Sequence, residues 1–266
     1  GEVKIGASLG EGCSPVLYKD KLVILRDNRG QSTIQVLNAK NGETIWMKNR
    51  NTRNGWATPA VVEHDGKVQV ITTASRPDAG NRKTPGKVIS YDLENGNIIW
   101  ECSGLTDNAI PCPIVEDGVA YCMTGYQGFS VLAVSISGEG DQSENILWKR
   151  ELGTPYVPSP ILYDGLLYFT QSNQAILSCV DAKTGKVLME RTRIKGLSNV
   201  YASLVGAGNH IYVVGRYGKT AVLKRTGKFD LVVTNTLADR FDASPAVSSH
   251  QLFLRGHRFL YCIGKK

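Results

Sequence analysis

Histidine and cysteine are the side chains that would ligate a metal or act as base and nucleophile, and neither is spaced for that work in this chain. His64, His210 and His250 stand far apart, and none has a carboxylate at useful spacing. Cys13, Cys102, Cys112, Cys122, Cys179 and Cys262 include no Cys-x-x-Cys, no adjacent pair and no companion histidines at zinc-finger intervals. Cys122, Cys179 and Cys262 lie in apolar runs and read as small buried hydrophobes. Cys102 and Cys112 bracket a short loop and are the best-placed pair for a disulfide if the compartment is oxidising. There is no Gly-x-Ser-x-Gly elbow, no phosphate-binding loop and no His-Glu-x-x-His. No catalytic residue and no metal ligand is expected.

Arginine is the residue whose placement invites a function. Arg26 and Arg29, then Arg76, Arg82 and Lys83, then Arg216 and Lys219, and last Arg255 and Arg258 come in separate groups. A guanidinium is a planar fork that matches carboxylate or phosphate. Trp56, Tyr156, Tyr201 and Phe241, with Asp242, recur at a second set of positions. Aromatic side chains around a concave mouth can hold a small ligand or a peptide, and can equally plug a channel. Which of these groups meet depends on the elements that carry them.

Those elements repeat. Ser14-Pro15 recurs as Thr58-Pro59, Cys112-Pro113, Ser159-Pro160 and Ser244-Pro245, with Ala202-Ser203-Leu204 in the remaining slot, and each is followed by a short apolar run. With Pro15, Pro59, Pro113, Pro160, Leu204 and Pro245 as anchors, the spacings are 44, 54, 47, 44 and 41 residues, a propeller-like period. The fourth unit is the clearest: Ile161 to Tyr163, Leu166 to Thr170, Ala175 to Val180 and Lys186 to Glu190 read as four strands separated by turn residues. Asp181-Ala182-Lys183-Thr184-Gly185 joins the last two. Asn38 to Gly42 and Asp92 to Gly96 repeat that connection, with an Asx side chain to bond amides ahead of it and a glycine free to take a positive φ. Four residues beyond each glycine stands a bulky residue, Trp46, Trp100, Met189 and, after Gly227, Leu231; these read as wedges between neighbouring sheets.

The sixth unit supplies only three strands, Pro245 to Val247, Leu252 to Arg255 and Phe259 to Ile263, while Val3-Lys4-Ile5 precedes the first anchor without a sheet of its own. Letting that segment pair as the fourth strand of the last sheet closes a ring and removes exposed edges. The expected fold is therefore all-β: a six-bladed β-propeller of four-stranded antiparallel blades, ring closed by the N-terminal strand, with residues 1–266 as a single domain. At 42% hydrophobic residues a core of that size can be buried, and no run approaches the roughly 20 apolar residues of a membrane helix. Nothing at Gly1 has the layout of a signal peptide.

Cys179-Val180-Asp181-Ala182-Lys183-Thr184-Gly185, continuing to Met189, resembles the A-x-D-x-x-T-G-x-x-x-W repeat of pyrroloquinoline quinone (PQQ) propellers, with Asp92 to Trp100 and Asn38 to Trp46 as looser copies. The Ser-Pro anchors and the ending Leu260-Tyr261-Cys262-Ile263-Gly264 are similar to PQQ-like propellers of bacterial envelope proteins, the outer-membrane assembly lipoprotein of BamB type among them. The resemblance covers essentially the whole chain and implies a periplasmic or otherwise exported protein, lipid-anchored in its full-length form. Quinoprotein dehydrogenases share the repeat, but they are about twice as long and hold the cofactor beneath two adjacent cysteines, which this sequence lacks. No cofactor is expected.

In such a meander the loops after the second and fourth strands share one face, and the loops after the first and third share the other. That register puts the arginine groups and the aromatic positions on one face, and the acidic insertion Gly138 to Glu144 on the other. The net charge of +7 then favours an anionic partner on the arginine face. The expected function is a non-catalytic cell-envelope scaffold, a monomer, which binds a protein or anionic ligand through Arg26, Arg29, Trp56, Arg76, Tyr156, Tyr201, Arg216, Asp242 and Arg255. The alternative is a small PQQ-dependent oxidoreductase. Nucleic acid ranks last, because no recognisable binding module accompanies the basic charge.

Overall fold

A computed structural model of the chain describes residues 10–78, 81, 83–151 and 153–264. The expected closing strand at Val3 to Ile5, and Arg82, lie outside the described residues. Every regular element among the described residues is a β-strand. The chain divides into two compact units, Gly1–Leu152 and Gly153–Lys266.

Each unit contains three antiparallel meanders. In the first, the sheets run through Val16–Tyr18, Lys21–Arg26, Ser32–Asn38 and Thr44–Arg50; through Ala60–His64, Lys67–Ala74, Gly86–Asp92 and Ile98–Leu105; and through Ile114–Glu116, Val119–Thr124, Ser130–Ser135 and Ile146–Arg150. The second unit holds Ile161–Tyr163, Leu166–Thr170, Ile176–Asp181 and Val187–Arg193; then Val205–Ala207, His210–Val214, Lys219–Lys224 and Leu231–Thr236; then the three strands Ala246–Ser248, Gln251–Arg255 and Leu260–Ile263. The strands start within a residue of the sequence expectation, because the turns between them are chemically explicit, although Val187–Arg193 runs three residues past the expected end at Glu190. The acidic insertion departs from it: Gly140–Asp141 crosses to the second sheet and pairs in parallel with Trp100 and Glu101, making that sheet five-stranded.

The third-to-fourth-strand turns work as their residues require. Asp181 Oδ1 accepts from the Thr184 amide at 2.8 Å and from its hydroxyl at 2.6 Å, and Gly185 closes the turn onto the Asp181 carbonyl with φ +67°. These bonds hold the Asp181 carboxyl below the usual carboxylate range. In the first unit the turn of one sheet receives the wedge of another. Trp46 Nε1 donates to the Leu93 carbonyl at 2.8 Å, and its ring lies so close to Gly96 (φ +72°) that a Cβ there would stand 2.6 Å from the indole. Trp46 packs with Val36, Val70, Tyr91 and Leu93 in one apolar cluster. Trp100 is fully buried and donates to Gln69 Oε1 at 2.9 Å, while Gln69 Nε2 donates to the Ile136 carbonyl. Met189 takes the same place in a cluster of the second unit.

Leu231 does not: it is exposed, because the turn at Gly227 is two residues longer, and Val233 rather than Leu231 falls opposite the third strand at the wedge register. Cys262 is also exposed, against the expectation of burial; it lies on Leu260–Ile263, the last of the described strands of its sheet. Cys122 and Cys179 are buried as expected. Cys102 is not bonded to Cys112: it points into the core of the first unit from the strand Ile98–Leu105, beside Cys122, whereas Cys112 lies in the loop beyond.

One polar contact is buried with the wedges. Arg50 lends Nε and Nη2 to the two carboxylate oxygens of Asp27, at 2.8 and 3.1 Å, and Nη1 to Thr72 Oγ1 and Tyr91 Oη. Desolvation works against both charges, but Asp27 and Tyr91 raise the Arg50 pKa above its ordinary value, so the guanidinium stays charged.

Replacing the wedge tests this packing. Trp46→Ala removes a buried indole and its hydrogen bond, and should cost about 3–5 kcal/mol in urea unfolding; an unchanged midpoint would contradict the role given to Trp46.

Candidate functional site

The loops that carry the arginines are shaped by backbone bonds. In the second unit, the loop Gly215 to Gly218 is clamped between two others: the Arg216 amide donates to the Asn199 carbonyl at 2.8 Å, and the Phe241 amide donates to the Arg216 carbonyl at 3.0 Å. Gly218 takes φ +88°, and a Cβ there would collide with the Leu237 carbonyl. Only glycine therefore lets the two loops meet.

This clamp brings three of the expected residues together. The Arg216 guanidinium lies 4.5 Å from the centre of the Tyr201 ring, Nη2 donates to Asp242 Oδ2 at 3.2 Å, and Nε stands 2.8 Å from Oδ1. Asp242 also meets His257 Nε2 at 3.0 Å. Around this knot stand Arg240, 5.6 Å from the Tyr217 ring centre, and Arg258, 5.7 Å from that of Phe259; Tyr217 and Phe259 are both more than half exposed. Arg255 is exposed and donates from Nε to the Gly256 carbonyl. Among the described residues, neither Arg240 nor Arg255 has a carboxylate within ion-pair distance. Tyr156 is set apart, half-buried beside Ser172, whose carbonyl accepts from its amide. Phe241 is fully buried against Tyr261 and is core, not mouth.

Asp239 organises the neighbouring loop. It accepts from the amides of Arg240, Arg258 and Phe259 and from Tyr261 Oη. Desolvation alone would raise its pKa, but the backbone bonds outweigh it and hold the carboxyl below its ordinary range.

In the first unit the expected residues are more dispersed. Arg26 Nε lies 3.5 Å from Glu11 Oε1, beside a cavity of about 270 Å3 whose wall includes Cys13, Asp27 and Gln35. Arg29 is exposed. Trp56 donates from Nε1 to the Gly10 carbonyl at 2.9 Å. Arg76 is buried and paired with Asp107 at 3.0 Å, so its charge is spent inside the protein and is not presented on a face.

The remaining reactive groups offer little chemistry. His64 Nε2 lies 2.7 Å from Ser137 Oγ and 3.2 Å from Asp65, but both contacts fall on one nitrogen, so the carboxylate cannot orient the ring for the serine as a catalytic triad demands. Burial pushes the thiols of Cys13 and Cys179 up to about 12 and that of Cys102 up to about 11, which leaves almost no thiolate at neutral pH. His257, absent from the sequence expectation, is the residue that joins Asp242 to the sixth sheet. Its neighbours Arg255 and Arg258 were the signal that could have marked it.

Comparison with known proteins gives a coherent result. A family model described as outer membrane protein assembly factor BamB matches residues 4–191. Among curated proteins, the outer membrane protein assembly factor BamB of Salmonella typhimurium is 22% identical, covering 93% of this chain and 73% of the relative. Among solved structures, BamB from Moraxella catarrhalis aligns with a TM-score of 0.53 at 15% identity, over 96% of this chain and 81% of that one. The computationally designed Ika8 protein aligns at 0.66 and 14% identity, over 98% and 74%. The quinohemoprotein alcohol dehydrogenase from Comamonas testosteroni aligns at 0.56 and 13% identity, over 86% of this chain but 43% of its own. These structural likenesses speak for the fold alone.

A carboxylate with a depressed pKa stabilises the fold above its unfolded pKa, near 3.9, and loses that contribution as pH falls through the folded value. Asp239→Asn should therefore lower the unfolding midpoint at pH 7, with the gap to wild type narrowing below about pH 4. A gap independent of pH would show that the charge on Asp239 is immaterial.

Proposed function

The chain belongs to the family of the outer membrane protein assembly factor BamB, a PQQ-like repeat propeller family, and we propose that it serves as a non-catalytic scaffold of the cell envelope that binds another protein during outer-membrane assembly. The observation that carries this reading is the loop rim of the second unit. There Arg216 is held over Tyr201 by Asp242, while Arg240, Arg255, Tyr217 and Phe259 are left towards solvent. Arginine and aromatic side chains are the residues that anchor protein interfaces, and a guanidinium group at the surface selects carboxylates. The partner surface in this reading is acidic. Arg26, Arg29 and Trp56 are proposed as a second contact, in the first unit; Arg76 belongs to the core, and Tyr156 to the wall beside Ser172.

The same reading carries several further expectations. The sheets form the six blades of one ring, a single domain, with Val3 to Ile5 as the fourth strand of the last blade. The protein is exported to the periplasm, lipid-anchored in its full-length form, monomeric by itself, and works without PQQ. No helix among the described residues is long and apolar enough to cross a membrane.

The double substitution Arg240→Glu and Arg255→Glu tests the rim. It should weaken association with purified outer-membrane assembly machinery by at least tenfold, mostly through slower association that is sensitive to salt. Undiminished binding would remove the arginine rim from the account.

A further inference from the structure

The edge of a sheet presents unpaired N–H and C=O groups, and proteins blunt it with charge or cover it. Five sheets of this chain have a fourth strand to compare. Lys48 stands on Thr44–Arg50, Lys149 on Ile146–Arg150, and Glu190 and Arg191 on Val187–Arg193. Ile98–Leu105 is covered: Gly140–Asp141 lies along it in parallel, and the Gln142 amide donates to the Glu101 carbonyl at 2.7 Å. Leu231–Thr236 has neither protection. No charged residue and no proline occurs from Leu231 to Ala238. The register shift near its start occurs in all five outer pairs and sets none of them apart.

Burial separates this strand from the others as well. Each of the other four buries a bulky residue, Trp46, Trp100, Trp148 or Met189, whereas none of the six residues of Leu231–Thr236 is buried. Leu231, Val232 and Val233 expose 38%, 49% and 43% of their surface. Val232, Val233, Thr234 and Thr236 are β-branched, which suits a strand paired on both sides. The backbone groups are aimed outward too. The Leu237 amide donates to the Gly218 carbonyl at 2.9 Å, and ladder bonds alternate along an antiparallel pair, so the amides and carbonyls of Thr234 and Thr236 point away from the third strand. Among the described residues no strand pairs with them.

The spacing of those groups says what fits. Outward N–H and C=O groups that recur at every second residue are matched by another extended polypeptide, not by a small ligand. The chain shows such an addition at the equivalent edge of the second sheet, where the added strand runs parallel. Two copies about a two-fold axis would pair this edge antiparallel, so the arrangement on display is that of a different strand. Leu231–Thr236 also leads directly through Leu237 into the loop of Asp239 and Arg240, part of the rim assigned above to a protein partner. We infer that the outer edge of the fifth sheet receives an extended strand of that partner, uncharged and rich in β-branched side chains, joined by main-chain hydrogen bonds as Gly140–Asp141 is joined to the second sheet. This deepens the protein-binding reading above and rests on it.

A fluorescein-labelled peptide of eight residues, alternating Val and Thr, tests the inference by fluorescence anisotropy against the full chain. It should bind, and a twin N-methylated at every residue, with the same side chains but no N–H groups, should bind at least tenfold more weakly. Val232→Lys puts a charge on the edge at a half-exposed position, and should weaken the peptide at least tenfold while leaving the unfolding midpoint in place. Thr234→Pro removes one outward donor and should weaken it as much. The inference is overturned by no binding at millimolar peptide, by equal binding of the twin, or by unchanged binding to both variants. It is overturned also if removal of residues 1–9 strengthens the peptide tenfold, since the chain would then cover its own edge, or if the chain sediments as a dimer that Val232→Lys separates, since a second copy would then be the occupant. The two readings fail differently. If only the edge is wrong, Val232→Lys keeps the purified outer-membrane assembly machinery and Arg240→Glu with Arg255→Glu loses it; if the parent reading is wrong, the arginine pair keeps it too.

Discussion

The indole of Trp46, bonded through Nε1 to the Leu93 carbonyl and flat against Gly96, shows the contact on which the repeat depends. A four-stranded meander satisfies its backbone internally but has two broad faces, and too little chain to cover them. Each sheet therefore has to bury a face against another. For Trp46 the Asx-to-Gly turn of the second sheet makes this possible: it presents a surface without Cβ for the wedge, and a carbonyl for its N–H. Turn chemistry and core packing are thus one device, and Gly96 cannot become alanine without displacing the tryptophan. Where the wedge is a valine, at Val233, the two sheets it should join stand apart around a cavity.

The bidentate pair of Arg50 and Asp27 plays another part. Its burial gains little net stability, because the desolvation of two charges offsets most of their attraction. It does restrict which strands can meet, since Thr72 and Tyr91 of the second sheet must reach the same guanidinium from the first. Arg216 and Asp242 use the same chemistry at a half-exposed place, with Tyr201 beneath the guanidinium and His257 on the far side of the carboxylate. There the pair fixes the shape of a surface loop instead of the packing of a core. Arginine is thus structural in one setting and presented for recognition in another, and burial decides which.

That distinction explains what the sequence could convey. Strand limits and turns were legible because Asp181, Thr184 and Gly185 act on their immediate neighbours, and the tryptophan wedges were legible because they recur. The cavity at Val233 was not, because two extra residues in the turn after Gly227 moved the wedge register from Leu231 to Val233, a shift visible only in strand pairing. Loop positions assigned Tyr201, Arg216 and Asp242 to one face, but their direct contact with one another depends on the side chains and was not legible. The fates of Arg76, buried on Asp107, and of Cys102, inside the core, did not follow, since both depend on a neighbouring strand far away in sequence. Arg50 and His257 were missed for the same reason: neither carries a local pattern, and each is defined by the carboxylate it meets.

The central claim is that the repeat builds the frame while the loops after the second and fourth strands of the second unit carry recognition. Hydrogen–deuterium exchange of the chain, alone and with purified outer-membrane assembly machinery, measures this directly. The account predicts slowed exchange on binding at residues 215–218, 237–242 and 255–259, and no change at the turn 181–185. Protection at 181–185 with none in those three loops would contradict it.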